Sequence, residues 1–279
     1  MIVKKWTTRD AKKCIIVPTD LDHKYSRGVL GIITGSAQFP GAAVLTTKAA
    51  SATGLGAIRF YSSSGLSHLV LHSSPEALIA PGIVTAWLAG SGIGDKKYSS
   101  YTTWARHQKL KTLKTQSVPT VLDAGALAYV DRYDQPTLIT PHAGELSRLL
   151  TSRGEKVSAE LIESDPKKWA AIASELFGAV VLLKGARTVI ASEDGIIELG
   201  LATPWLATAG SGDVLSGIIG ALVATNYIEI LNSRHRLADV AATGAFIHSA
   251  AGTLSSRDAP ISSLSIIDAI PEAIRKILR

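Results

Sequence analysis

Short apolar runs, each stopping at a glycine, proline or charged residue, alternate with segments of helical spacing along most of this chain. Residues 29–35, Val-Leu-Gly-Ile-Ile-Thr-Gly, are almost continuously apolar, as expected of a strand buried on both faces. An Ala-rich helical pattern covers 41–54. Further strands are expected at 57–61, 86–89, 119–122, 137–140 and 179–183, with 68–71 another candidate. Helices are expected at 98–114, from about Gly144, and at 159–177. Residues 187–191 and 196–199 read as a hairpin around Asp194-Gly195, and the chain from Asp213 to Ile277 reads as helical, interrupted by loops and by Pro260 and Pro271. Strand–helix–strand repetition predicts the α/β class, with a mostly parallel sheet covered by helices on both faces. Residues 1–28, polar and containing Pro18, are expected to form an irregular N-terminal arm, and residues 29–279 a single catalytic domain without internal repeats.

Such a sheet needs a large core, and the chain has one to give: 46% of its 279 residues are hydrophobic and 19% charged. No apolar run is long enough to span a bilayer, and the N-terminus lacks a signal segment. A single cysteine, Cys14, excludes an internal disulfide or a cysteine metal cluster, so a cytoplasmic protein is expected. The net charge of +6 suits anionic small molecules. Its densest basic stretch, 106–114, carries Leu110 and Leu113 at helical spacing and no interleaved aromatics, which predicts an amphipathic surface helix and no nucleic-acid partner.

The chemistry concentrates at Thr208-Ala209-Gly210-Ser211-Gly212-Asp213-Val214-Leu215. Val214, Leu215, Ile218, Ile219, Leu222 and Val223 mark one buried helix face, so the glycines lie where that helix starts. Backbone N–H groups from Gly210, Ser211 and Gly212 can then face an anion. Asp213 falls in the first turn. A carboxylate there repels a phosphate, so it is either a cap that complements the helix dipole or a base that deprotonates a hydroxyl attacking phosphorus.

Other special residues also follow strands, where ligands bind in open α/β sheets. Gly35 and Pro40-Gly41-Ala42-Ala43 follow the first strand, and Gly90-Ser91-Gly92-Ile93-Gly94 follows 86–89. Its G-x-G-x-G spacing departs from the dinucleotide fingerprint G-x-G-x-x-G. Asp123, Pro141-His142-Ala143-Gly144-Glu145 and Lys184-Gly185 end three more strands. His142 reads as a helix start or a ligand contact, Glu145 as a dipole acid or the holder of a water on Mg²⁺, and Lys184 as a contact to nucleotide. His68 and His72 lack the intervening glutamate of a zinc motif, and His248 reads as a helix-packing residue. Neither Ser36, Ser211 nor Cys14 has the setting of a hydrolase nucleophile.

Taken together, these segments resemble the ribokinase-like superfamily and, within it, the ADP-dependent NAD(P)H-hydrate dehydratases. The likeness rests on Thr34-Gly35-Ser36, Pro40-Gly41-Ala42-Ala43, residues 89–94, residues 122–127, Thr140-Pro141-His142-Ala143-Gly144-Glu145, residues 181–185 and residues 208–215, in family order from about Gly28 onward. This chain departs from the family at Gly90-Ser91-Gly92, where members usually carry Gly-Pro-Gly, and at Lys24-Tyr25, where they often carry Lys-Gly. About 28 residues precede the match, too few for a fused epimerase domain, so a stand-alone enzyme is expected.

The resemblance implies a three-layer αβα sandwich and a hydro-lyase that repairs the S epimer of hydrated NADH or NADPH. ADP is the implied co-substrate, Mg²⁺ the implied cofactor, and AMP and phosphate the by-products. It implies Asp213 as the catalytic base. Ala42, Ala43, Gly92, His142 and Asp213 would contact the hydrate. Lys184, Gly185, Ala186, Arg187, Thr188 and Gly212 would bind the nucleotide, and a homotetramer is the implied assembly. Two alternatives stay open: an ATP-dependent kinase of a vitamin-type alcohol, such as a hydroxymethylpyrimidine or pyridoxal, and a catalytically silent nucleotide binder.

Overall fold

A computed structural model describes residues 3–94, 101–132 and 134–279. Its frame is one sheet. In chain order the strands are β1 (Val3–Lys5), β2 (Val29–Ile33), β3 (Ala57–Phe60), β4 (Ala86–Ala89), β5 (Thr120–Leu122), β6 (Thr137–Ile139), β7 (Val180–Leu183), β8 (Arg187–Ser192) and β9 (Gly195–Leu201). They lie in the order β1-β9-β8-β7-β6-β5-β4-β2-β3. Pairing is parallel from β3 across to β7, antiparallel within β7-β8-β9, and parallel again where β1 meets β9. The mostly parallel α/β sheet expected from the sequence is therefore the observed one.

Period-two alternation splits each strand between two cores. Leu30, Ile32, Leu138, Leu182 and Ile190 face a layer built on α1 (Thr8–Lys12), α2 (Pro40–Thr53), α3 (Ser64–Ser73), α8 (Ser211–Thr225), α9 (Tyr227–Asn232), α10 (His235–Ser256) and α11 (Ser263–Leu278). Ile33, Trp87, Leu122, Ile139, Val181 and Val189 face the other layer, which holds α4 (Tyr101–Lys109), α5 (Ala143–Thr151), α6 (Ala159–Ser164) and α7 (Pro166–Phe177). Strands buried on both sides read as unbroken apolar runs, which is why the sequence displays them so clearly.

Several local expectations need correction. The candidate strand at 68–71 is part of α3: Leu66 and Val70 are buried four apart, whereas Leu69 and Leu71 are exposed. The helix expected over 159–177 breaks in two, because Pro166 has no N–H to continue a helix and Asp165 caps the second one through Lys168 N at 3.3 Å. Pro271 lies inside α11 and does not interrupt it. The helix expected over 98–114 is α4 followed by a 3-10 turn at Leu110–Thr115; its first three positions lie outside the described residues.

The segment read as an irregular arm contains regular structure. β1 adds to the free edge of β9, with Val3 opposite Ile196 and Lys5 opposite Glu198. Thr7 and Asp10 then form a reciprocal capping box that starts α1, and Trp6, Ala11 and Cys14 are buried in the first core. The T-x-x-D spacing was a legible helix signal.

Candidate active site

The carboxyl ends of β2, β4, β5, β6 and β7 point to one end of the sheet, and the start of α8 meets them there. Gly210 caps α8 with φ of 86°. A Cβ at that position would fall 2.5 Å from Leu45 Cδ1 and 2.9 Å from Ser263 Oγ, so the left-handed turn requires glycine on two grounds. Ser263 Oγ donates to the Ala209 carbonyl at 2.6 Å and holds the turn from α11. The helix leaves its first N–H groups without partners inside itself, which makes this end suitable for an anion.

Asp213 sits half-buried in the first turn of α8. Burial, with the nearby Asp123 carboxylate adding to it and Lys184 opposing, pushes its carboxyl up to about 6. That value suits a base working near neutrality. Behind it, the Ser211 hydroxyl and His248 Nε2 lie 3.1 Å apart, and burial pushes the His248 imidazole down to about 4. His248 is thus a neutral, buried group that holds the glycine turn from α10.

Asp123, just past β5, joins the other elements. Its Oδ1 accepts from Lys184 Nζ and Thr140 Oγ1, both at 3.0 Å, and its Oδ2 from Ser91 Oγ at 2.8 Å and Ser216 Oγ at 3.0 Å. Burial alone would raise this carboxyl; the Lys184 charge and the donated hydrogen bonds outweigh it and hold Asp123 below the ordinary carboxylate range. Lys184 Nζ also lies 3.7 Å from Glu145 Oε2, and a Cβ placed on Gly212 would be 3.9 Å from it. The ammonium therefore stands directly before the start of α8. Burial would lower Lys184, but the facing carboxylates hold it above its usual range and charged.

His142 and Glu145 form a capping box at the start of α5. His142 Nδ1 accepts from the N–H groups of Gly144 and Glu145 at 3.1 and 3.3 Å, and Glu145 Oε2 accepts from His142 N at 2.9 Å. The imidazole side chain is 55% exposed at the strand tips, with its Nε2 3.5 Å from Glu145 Oε2. Gly185, Ala186 and Arg187 are exposed along the turn from β7 into β8, with Thr188 half-buried.

On the β2 side, Gly92 packs so closely on α2 that an added Cβ would lie 2.4 Å from the Ala42 Cβ, while Gly35 covers Ala43. Ala43 is wholly buried, and Ala42 nearly so. Sequence reasoning missed what fastens this wall. Arg106, expected on a surface helix, is buried and donates to the Gly35 carbonyl at 2.8 Å, to the Thr34 carbonyl at 2.6 Å and to the Tyr61 carbonyl at 3.2 Å. Burial pushes its guanidinium down to about 10. His107 is buried beside it, its Nε2 3.1 Å from the Gly94 carbonyl. Lysine cannot reproduce a planar fork reaching three carbonyls, so Arg106→Lys is expected to lower unfolding stability by about 2 kcal/mol, read as a shifted urea midpoint.

A cavity of about 500 Å³ opens at the opposite, amino-terminal end of the strands, lined by Pro136, Thr137, Ala179, Gly195 and Leu237; it shares no residue with this site. Among the described residues no group of three His, Cys, Asp or Glu side chains is placed to hold a metal ion. No helix among them is long and apolar enough to cross a membrane.

The profile of the family described as NAD(P)H-hydrate dehydratase matches residues 30–272. The chain belongs to the NAD(P)H-hydrate dehydratase family. Within it, the ADP-dependent (S)-NAD(P)H-hydrate dehydratase of Neisseria meningitidis serogroup B is 32% identical, over 91% of this chain and 86% of that protein. The bifunctional NAD(P)H-hydrate repair enzyme Nnr of Corynebacterium glutamicum is 35% identical over 92% of this chain but only 48% of its own length. This dehydratase-family chain thus spans about half the length of the first curated relatives it matches. Among solved structures, the ADP/ATP-dependent NAD(P)H-hydrate dehydratase from Bacillus subtilis, co-crystallised with ATP/Mg²⁺, superposes with a TM-score of 0.83 at 24% identity, over 99% of both chains. A ribokinase-like superfamily protein from Enterococcus faecalis gives 0.82 at 20% identity over 99% of this chain and 96% of that one, so the ribokinase-like αβα fold is shared.

Proposed function

We propose that this chain dehydrates the S epimer of hydrated NADH or NADPH at the expense of ADP, yielding NAD(P)H, AMP and phosphate. The observation that carries the reading is Asp213, half-buried in the first turn of a glycine-started helix and faced by the Lys184 ammonium. The hydrate carries a hydroxyl on C6 of its reduced nicotinamide ring; hydroxide leaves that carbon poorly near neutral pH, and phosphate leaves well. Asp213 takes the proton of the C6 hydroxyl as its oxygen attacks the β-phosphorus of ADP, and AMP departs. Phosphate then departs from the new ester with the C6–O electron pair, and loss of a C5 proton to solvent restores the ring double bond.

The N–H groups of Gly210 and Gly212 hold the moving phosphoryl group, that of Ser211 already donating to the Thr208 carbonyl at 3.3 Å, and Lys184 offsets the charge on the phosphoryl oxygens. Gly185, Ala186, Arg187, Thr188 and Gly212 line the nucleotide. Ala42, Gly92 and His142 line the hydrate, with Ala43 beneath. Mg²⁺ fits this donor set sparingly: it needs only one or two carboxylates besides substrate phosphates and waters, and Glu145 would hold it through a water. When bound, the ion would neutralise charge on the diphosphate. Two further parts of the proposal, a cytoplasmic setting and a homotetramer, draw on the single buried cysteine and on the family resemblance.

Incubation with enzymatically hydrated NADH, Mg²⁺ and either ADP or ATP tests the reading. Recovery of reduced-dinucleotide absorbance with matching AMP and phosphate is expected; a stable phosphorylated alcohol would indicate a kinase instead. The base must be ionised to work, and its carboxyl sits at about 6. kcat/KM is therefore expected to rise with pH through about 6 and to fall roughly tenfold per unit below it, as a pH–rate profile would show.

A further inference from the structure

Asp123 is 3% exposed, and side chains from four separate elements donate to it. Ser91 comes from the turn after β4, Thr140 from the end of β6, Lys184 from the end of β7, and Ser216 from α8, one turn beyond Asp213. We propose that Asp123 is a positioning residue, whose carboxylate fixes the Lys184 ammonium against the start of α8 so that a nucleotide diphosphate meets an immobile cation there.

Lys184 has a long, freely rotating stem, and its placement needs a partner. Asp123 Oδ1 lies at 3.0 Å while Glu145 Oε2 lies at 3.7 Å, so the shorter contact sets the position. Glu145 is already committed to capping α5 through the His142 N–H. Asp123 in turn cannot wander, because hydroxyls fill the remaining directions of both its oxygens. One of these hydroxyls also ties in the β2 wall. Ser91 supplies a hydroxyl to Asp123, and its carbonyl accepts from Gly35 N at 2.7 Å, which joins residues 34–35 to the same anchor. The charged and titratable groups around the assembly are Asp213, Glu145 and Asp123 on the acidic side, Lys184 on the basic side, the His142 imidazole at the rim and the neutral His248 behind Ser211.

The inference rests on the proposed nucleotide site, and a double-mutant cycle read by calorimetric titration of the full chain with ADP tests it without the hydrate. Asp123→Asn and Lys184→Met are each expected to weaken ADP binding about tenfold, and the double variant no more than Lys184→Met alone. Independent effects that multiply in the double variant would overturn the proposal. Ser91→Ala and Ser216→Ala, which keep the buried charge pair, are expected to shift affinity in the same direction by about two- to fivefold. Unchanged affinity in both overturns it, even if Asp123→Asn does not fold. In turnover assays, Asp123→Asn should also move the acid limb of the pH profile to lower pH, since a negative charge beside Asp213 is gone; an unmoved limb counts against the proposal. A wild-type chain that binds ADP but never dehydrates the hydrate would remove the proposed reaction and leave the coupling of Asp123 to Lys184 to be judged by the cycle.

Discussion

Asp213→Asn is expected to cut turnover by about 10²- to 10⁴-fold while leaving ADP affinity within a few-fold of wild type. The amide has nearly the shape of the carboxylate but cannot accept a proton near neutrality. The helix start, Lys184 and the turn from β7 into β8 are untouched by the change, so the proposed nucleotide contacts are kept. Rapid-quench measurement of AMP release, paired with titration of ADP, separates the two effects. Near-wild-type AMP release in the variant would remove Asp213 from the role of base.

The same substitution should make the protein harder to unfold. The Asp213 carboxyl is raised to about 6 from an ordinary value of 3.8. Between those two values the folded state binds a proton that the unfolded chain has released. Stability is therefore lost as pH rises through about 6, and at neutral pH the folded protein carries the full cost of an ionised carboxylate that is partly buried and faces Asp123. Asparagine removes that cost, so the melting temperature at pH 7 should rise by roughly a few degrees. Raised stability together with lost turnover is the signature of a group kept for chemistry.

Gly90→Ala is the second large effect expected, and it falls on stability. Gly90 has φ of 115°, a conformation that L side chains rarely adopt. An added Cβ would lie 1.7 Å from the Asp123 carbonyl oxygen and 2.7 Å from the Ala126 Cβ. Backbone strain of about 1–3 kcal/mol and overpacking of similar size combine to roughly 2–6 kcal/mol. The turn after β4 must then pull away from the end of β5, carrying Ser91 and Asp123 with it. A urea midpoint close to wild type would show that the turn yields more easily than this geometry allows.

Gly90 also shows why some of the site was legible and some was not. The glycine cluster after β4 stands out in sequence, but its spacing prompts comparison with a dinucleotide fingerprint. Its physical reason is the carbonyl of a residue far along the chain. The glycine start of α8 reads cleanly because its sequence signals are local, a left-handed cap, a first-turn acid and an apolar face at helical spacing, although Leu45 and Ser263 also leave no room for a side chain at Gly210. Strand tips read well for the same reason, since strands buried on both sides are unbroken apolar runs with polar stops.

Arg106 shows the converse. Its stretch is basic and amphipathic, and nothing nearby distinguishes it from a solvated face; its acceptors, Gly35 and Thr34, lie 71 and 72 residues away. Asp123 was visible as a strand-end acid, but the convergence of Ser91, Thr140, Lys184 and Ser216 on it depends on sheet order, which periodicity does not give. The α3 segment misled through composition, because a run of Leu-Val-Leu resembles a strand until Leu66 is placed one helical turn ahead of Val70.

The pairing of Val3 with Ile196 sets a timetable for biosynthesis. As the polypeptide leaves the ribosome, its first strand has no edge to join until β9 has been translated and the β8–β9 hairpin has folded back. Closing so long a loop comes late and slowly. Throughout that interval Trp6 lacks its burial site, and the β9 edge, once made, stays open to pairing with a neighbouring chain, so slow or crowded synthesis is where this fold is most exposed to aggregation.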